Sequence, residues 1–315
     1  MPEPASPLVI VNPAAGMGKA HRLVPRIAAW LREHRPEARV LETREAGHAE
    51  QLAAAAAELG HDRVVAVGGD GTVQEVLNGL MAGIGGDRRP ALGVVPGGSG
   101  NDLSRSLGLP RDPIAALPVA LGAELRPLDV GRGSRNGGVR HFATAGGAGF
   151  DAQVAHTMSG RPHRWQRGAA GYLVATLNQL RAFRNRDLRV RMETDAGPRE
   201  MEGRFLFVCF ANGAYYGGGM QIAPDAELDD GWLDVCLVGD ISRLGALREL
   251  PGIYRAAHVN HPLVDIVRAR EARIEGDPTA RVHLDGEPFG HVPVEVGLAP
   301  SAVRVAAGAS ARVGE

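Results

Sequence analysis

Between Leu8 and Gly108 short β-branched runs alternate with stretches of helical periodicity, and Gly, Pro, Asn or Asp stands at each junction. The runs Leu8–Val11, Arg39–Thr43, Arg63–Val67 and Ala91–Val95 read as strands. Helices are expected between them over about Ala20–His34, Ala49–Leu59 and Thr72–Ala82, with a fourth starting near Asp102. Strand and helix in regular succession predict an α/β domain, a parallel sheet in the middle of three layers. Ligands of such sheets bind at the carboxyl ends of the strands, which is where this chain places its glycines.

After the Pro-rich step Leu109–Pro118 the strands lengthen and alternate in polarity. Leu188, Val190 and Met192 fall on one face of a strand, Arg189, Arg191 and Glu193 on the other. Similar runs at Val139–Ala145, Met201–Ala211, Trp232–Val238, Val264–Ile274, Ala280–Asp285 and Val292–Val296 lack regular intervening helices. They predict a second domain that is β-rich, a mostly antiparallel sandwich, interrupted by helices near Trp165–Phe183 and Arg243–His258. The boundary is expected near Pro127. This gives a first domain over residues 1–127 and a second over 128–298, with 299–315 able to rejoin the first.

Composition narrows the partners. Thirty-five basic and 36 acidic side chains leave a formal charge of −1, so no global field draws the chain to nucleic acid or to an anionic bilayer. Aromatic residues, at 4%, are too few for a base-stacking platform, and no nucleic-acid partner is expected. Cys209 and Cys236 lie in apolar runs with no metal-type spacing and are expected to be buried thiols. The start MPEPASPLVIVNP lacks the pattern of a signal peptide, and the longest apolar run, FLFVCFA at 205–211, is too short to cross a bilayer. A cytoplasmic location without a transmembrane segment is the expectation.

Three glycine-bearing turns carry the chemistry of the first half. In VVAVGGDGTVQEVLNGL, residues 64–80, a strand ends in Gly68-Gly69-Asp70-Gly71, and Thr72 with Glu75 three residues on has the pattern of a capping box. Glycines at a strand-to-helix turn let backbone N–H groups approach an anion, and the helix terminus adds partial positive charge. Asp70 is out of place in a phosphate cradle unless a metal or a proton intervenes, so it points to Mg²⁺ or to a proton acceptor. In LGVVPGGSGNDLSRSLGL, residues 92–109, Pro96-Gly97-Gly98-Ser99-Gly100 leads to Asn101 or Asp102 as the cap of a helix that carries Arg105. In VIVNPAAGMGKA, residues 9–20, Asn12 and Pro13 break the first strand ahead of Gly16, Gly18 and Lys19, the only lysine in the chain. The spacing is not that of a Walker A loop.

NPxxG, then GGDGT, then PGGSGND with a following Arg, in that order, resembles the catalytic domain of the diacylglycerol kinase family, which includes the soluble bacterial lipid kinases and the sphingosine and ceramide kinases. GAGFDAQV at 147–154, APDAELDDGWLDVCLV at 223–238 and LDGEPFG at 284–290 extend the resemblance over nearly the whole chain. The resemblance implies an ATP-dependent lipid kinase. It places nucleotide contacts at Asn12, Pro13 and Gly16, at Thr43, from Gly68, Gly69, Asp70, Gly71 and Thr72 to Gln74 and Glu75, and at Ser99 with the neighbouring Asn101 and Asp102.

For the second half, the bacterial members imply a Mg²⁺ at the LDDG turn, held by the Asp229 side chain and the backbone carbonyls of Trp232 and Asp234. Oxygen donors on a glycine turn suit such a hard cation. Asp285 and Glu287 sit on a Gly-containing turn at the end of a strand, and one of them would accept the proton of the attacking lipid hydroxyl. The resemblance favours this pair, while Asp70 is the base implied by the sphingosine-type relatives. Diacylglycerol is the default acceptor. Other lipid alcohols, NAD, and a nucleotide-binding regulator without catalysis are the alternatives. A lipid substrate requires peripheral contact with a membrane, for which the Arg-rich stretch 161–191, with Trp165, Tyr172, Leu173, Leu177, Leu180 and Phe183 between its arginines, offers an amphipathic surface facing one nearby acid, Asp187. A homodimer is compatible with the sequence.

Overall fold

The computed structural model describes residues 6–83, 89–159, 178–181 and 183–308. The chain forms two compact units, Met1–Leu128 with Ser301–Glu315 and Asp129–Pro300. The first is built from β1 (Leu8–Val11), α1 (Val24–His34), β2 (Arg39–Glu42), α2 (His48–Glu58), β3 (Arg63–Gly68), α3 (Asp70–Ala82), β4 (Ala91–Pro96), α4 (Asp102–Ser106) and α5 (Pro113–Ala120). Its strands run parallel in the order β2-β1-β3-β4. Val9, Val11, Val65 and Val67 pack against Ile27 and Leu31 of α1 and Ala116 and Leu117 of α5. Because side chains alternate along a strand, Leu8, Ile10, Val64 and Ala66 turn to the opposite face, where α2 contacts β1 and α3 contacts β3. The predicted α/β class is what the chain adopts.

The first helix departs from expectation. Residues Ala15–Arg22 form a 3₁₀ segment, and α1 starts only at Val24. Gly16, Met17 and Gly18 all have positive φ, at 59°, 63° and 80°, which a right-handed helix cannot accommodate.

The second unit comprises most of β5 (Leu125–Arg135), then β6 (Gly138–Phe142), β7 (Ala145–Gly149), α6 (Phe150–Ser159), β8 (Arg186–Thr194), β9 (Gly197–Phe205), β10 (Phe207–Ala211), β11 (Tyr215–Tyr216), β12 (Met220–Gln221), β13 (Leu233–Val238), α7 (Arg243–Ile253), β14 (Val264–Ala269), β15 (Glu271–Gly276), β16 (Arg281–Leu284), β17 (Glu287–His291) and the start of β18 (Val294–Ala306). One sheet carries β18-β15-β8-β9 with β5 and β6; the other, β14-β13-β10-β7-β16-β17, is antiparallel throughout. Leu188, Val190 and Met192 meet Val208, Phe210, Val235 and Val282 in the core between them, as the alternating pattern predicts. On the far side of the second sheet, Cys209, Cys236 and Val238 pack with Phe150 and Val154 of α6 and with Ala246 and Ile253 of α7. Both cysteines are buried, free, and directly opposite each other in the register.

The arginines of β8 are not the bare cationic surface that the sequence suggests. Arg186 pairs with Asp277, Arg189 with Glu200 and Glu202, and Arg191 with Glu200 and Glu275, acids that arrive from neighbouring strands rather than from the same stretch of chain. Exposed pairs of this kind add little stability, but they neutralise the face. The earlier part of the Arg-rich stretch, 161–177, lies outside the described residues.

Gly79 shows which local effect dominates where α2 crosses α3. A Cβ there would stand 2.2 Å from the Glu50 carbonyl oxygen and 2.7 Å from the Ala53 Cβ. Helix propensity alone would make Gly79→Ala stabilising by about 1 kcal/mol. Overpacking against a backbone oxygen costs about 1–3 kcal/mol and cannot be relieved by rotating a side chain. The variant is therefore expected to melt several degrees lower than the parent in a thermal scan. A higher melting temperature would show that the helices can part freely.

Candidate active site

In the first unit the three glycine-bearing turns are joined by specific bonds. The Asn12 backbone N–H donates to the Val67 carbonyl, and its Nδ2 donates to Thr72 Oγ1 at 2.9 Å, tying the NPxxG turn to the GGDGT turn. Asn12 Oδ1 accepts from the Ala14 N–H at 3.0 Å and fixes the turn locally. Pro13 follows, and then the positive-φ run from Gly16 to Gly18, whose last N–H donates to the Ala14 carbonyl at 3.2 Å. Thr43 follows the end of β2, its N–H donating to the Val11 carbonyl at 2.9 Å.

The GGDGT and PGGSGND turns touch backbone to backbone. The Gly97 N–H donates to the Gly68 carbonyl at 2.7 Å. A Cβ on Gly98 would lie 2.3 Å from the Gly69 Cα, and one on Gly68 would strike the Thr72 side chain at 2.4 Å. The glycines here are therefore a packing requirement as well as a means of approaching phosphate.

Asp70 bridges the two turns. Its Oδ2 accepts from the Asn101 N–H at 2.8 Å and its Oδ1 from the Asp102 N–H at 2.7 Å, so one turn's carboxylate caps the other turn's helix. This corrects the expected caps. Asn101 has φ +55° and no side-chain cap bond, and it is instead locked to Gly98 through reciprocal bonds of 3.0 Å. Gly100 is required because a Cβ would sit 2.3 Å from Asp70 Oδ2.

The expected capping box also gives way. α3 begins at Asp70 with Gly69 as its cap, Gly71 and Thr72 lie inside its first turn, and Glu75 Oε2 accepts from the Ala49 N–H at the start of α2. Gln74 is buried, and its carbonyl accepts from Asn78 Nδ2. Asp102 is buried with Arg105 Nε 3.9 Å away, while Ser99 stands exposed at the tip.

In the second unit the stretch Ala143–Ala145 organises both acidic turns. The Asp285 carboxylate accepts from the N–H groups of Ala143, Thr144 and Ala145 at 2.7, 3.0 and 3.2 Å and from Thr144 Oγ1 at 2.8 Å. Burial raises its pKa above the ordinary carboxylate value, and these four donors oppose the rise. Glu287 is exposed. Asp285 is half-buried, so Glu287 is the more open of the paired carboxylates. Asn212, fully buried, donates from Nδ2 to the carbonyls of Ala143 and Asp129 at 2.8 Å each. Buried Asp129 in turn accepts from the Gly231 N–H at 2.6 Å and so holds the LDDG turn. The sequence reading missed both residues, because nothing in their spacing marks a contact so distant along the chain.

At the LDDG turn Asp229 is exposed and Asp230 accepts from the Trp232 N–H while pairing with Arg268. Arg268 and Arg270 also lie over the Trp232 ring, at 5.5 and 4.7 Å. Asp234 is buried, and desolvation, reinforced by Asp230, Asp225 and Glu227 and opposed by Arg268, pushes its pKa up to about 6. Among the described residues no group of three or more His, Cys, Asp or Glu side chains gathers as a metal cage. A cation here would rest on Asp229 and on backbone carbonyls.

The family model for the diacylglycerol kinase catalytic domain matches residues 6–133, and that for the YegS C-terminal NAD kinase beta sandwich-like domain matches residues 145–307. The chain belongs to the diacylglycerol kinase family. It is 33% identical over 298 residues to a diacylglycerol kinase from Mycobacterium tuberculosis, covering 94% of this chain and 93% of that one. A relative from Chromohalobacter salexigens that carries the name lipid kinase YegS-like is 33% identical over 265 residues, 84% of this chain and 82% of the other. A Bacillus anthracis crystal structure assigned to the diacylglycerol kinases matches with TM-score 0.77 and 29% identity, over 96% of this chain and 95% of that one. The family is one of lipid kinases, enzymes that use ATP as phosphate donor, and this chain is such an enzyme.

Two measurements follow from the geometry. Asp70→Asn replaces one acceptor with an N–H donor facing a helix N–H, so it should cost roughly 1–3 kcal/mol of stability in urea unfolding. No loss would show that the bridge is dispensable. For Asp234 the folded pKa is raised from 3.8 to about 6, so ionisation penalises the fold above about pH 6 and the penalty disappears as pH falls toward the unfolded value. In EDTA, Asp234→Asn should therefore melt higher than the parent at pH 8 and no higher at pH 4. A gain independent of pH would refute the electrostatic cause.

Proposed function

We propose that the protein transfers the γ-phosphate of ATP to the hydroxyl of diacylglycerol, giving phosphatidic acid. The joined turns at Asn12–Gly16, Gly68–Thr72 and Gly97–Asp102 form the nucleotide site, their glycines letting the phosphates approach the backbone closely, and Thr43 and the Ser99 hydroxyl contact the same nucleotide. Asp70 keeps two of these turns in register. Glu287 is the general base that takes the proton of the lipid hydroxyl, and Asp285, with its oxygens engaged by four donors, fixes the turn that carries it. Asp229 and the carbonyls of Trp232 and Asp234 would hold a Mg²⁺, oxygen donors that suit a hard cation. Such an ion supplies positive charge to phosphate chemistry.

The observation that carries the lipid reading is an apolar cavity of about 60 Å³ beneath α7, lined by Phe150, Leu180, Phe207, Val238, Leu250 and Ile253. α7 buries none of its residues fully, and it contains Gly245, Pro251 and Gly252, so it is lightly held. An acyl chain entering there would lift α7 from the sheet. The outer side of the same segment carries exposed Leu244, Leu247, Tyr254, Val259 and Leu263, with Arg248 and Arg255 exposed among them. Apolar and cationic groups together on one edge suit the surface of an anionic membrane. No helix among the described residues is long and apolar enough to cross one.

The test is purified protein with labelled ATP and Mg²⁺, offered in parallel diacylglycerol in anionic vesicles, sphingosine, and NAD. Label in phosphatidic acid is expected; label only in phosphorylated NAD, or in none of the three, sinks the proposal. Glu287→Gln should lower kcat by roughly 10²–10⁴-fold while leaving the KM for ATP unchanged. Leu247→Asp should raise the KM for vesicle-borne lipid and spare ATP affinity. An unaltered lipid KM would exclude the α7 edge.

A further inference from the structure

We infer that Asp151 and His283 form a buried hydrogen-bond relay that aims the Asp285–Gly286–Glu287 turn, which makes His283 a positioning residue for phosphoryl transfer. The inference rests on the reading of Glu287 as the base.

The turn closes the β16–β17 hairpin with positive φ at both central residues, +48° at Asp285 and +83° at Gly286. A two-residue turn of this kind favours Asp-Gly, and in a free hairpin its Gly N–H faces solvent. Here the Gly286 N–H donates to His283 Nδ1 at 3.1 Å. Since Nδ1 accepts, the proton of the neutral ring is on Nε2, which donates to Asp151 Oδ2 at 3.1 Å. Asp151 thereby selects the tautomer that leaves Nδ1 free to hold the turn.

The surroundings are built for this contact. Both side chains are 2% exposed. Asp151 lies in the first turn of α6, where the helix dipole favours a carboxylate. A Cβ on Gly147 would fall 1.9 Å from Asp151 Oδ2, so the first residue of the GAGFDAQV motif leaves the space that the carboxylate occupies. Tyr216 stacks on the His283 ring at 6.0 Å. From the same helix, His156 bonds the Val282 carbonyl and Arg281, so α6 grips β16 at two points. A buried polar pair of this type is often replaceable by apolar groups without loss of stability, so its effect lies in geometry.

Two substitutions separate aim from bulk. In His283→Asn the amide oxygen takes the place of Nδ1 and can still accept from Gly286. In His283→Gln the amide reaches Asp151 but leaves Gly286 without its acceptor, although Gln fills the slot better. His283→Gln should lose about tenfold or more in kcat, with the KM values for ATP and lipid within about twofold of the parent. His283→Asn should keep at least about a third of the parent kcat. Hydrogen exchange at the Gly286 amide should quicken in the Gln variant alone. Equal turnover in the two variants, or unchanged Gly286 exchange in His283→Gln, overturns the inference. Should the Gln variant not fold, Asp151→Asn takes its place: an amide group facing Nε2 favours the other tautomer, so faster Gly286 exchange supports the relay and unchanged exchange overturns it. Glu287→Gln run alongside tells the two readings apart, because full activity in it removes the base assignment whatever the exchange data show.

Discussion

Two backbone N–H groups on the Asp70 carboxylate hold the first unit's turns in register. Without that bridge the N–H groups of Asn101 and Asp102 would lose the carboxylate that caps α4. The carboxylate's charge is absorbed by these backbone donors, and the same bonds orient the donors' neighbours.

The second unit uses the same device. Asp285 gathers three consecutive N–H groups and a hydroxyl, and Asn212 and Asp129 tie the LDDG turn to that same stretch of chain. Two acidic turns more than fifty residues apart in sequence thus share one anchor, Ala143–Ala145. In each unit buried or half-buried acids position backbone, while Glu287 and Asp229 of the second unit stand exposed.

Much of this was legible in the chain. Period-two alternation around Leu188–Glu193 gave the correct buried face, and the strand-helix rhythm gave the parallel sheet, because both depend on local periodicity. What could not be read depends on contacts between distant segments. Thr72 and Glu75 have capping-box spacing, yet Gly69 caps α3 and Glu75 caps α2. Asn101 and Asp102 look like caps, yet Asp70 caps them. Arg189 and Arg191 look unpaired along the sequence because their acids stand on β9 and β15. The α7 edge carried a readable signal, Leu244, Leu247 and Leu250 at helical spacing beside arginines, which the sequence reading passed over.

The path of β18 has a consequence for how the protein is made. Val305 near its end is the partner of Leu92 in β4, and Gly308 donates to the Leu107 carbonyl. The β4 edge is therefore covered only once the chain has been made through β18. Until then the nascent first unit presents unpaired backbone that another chain could add to. Covering of that edge thus follows synthesis of the whole second unit, and removal of the end of β18 would expose the strand that leads into the PGGSGND turn.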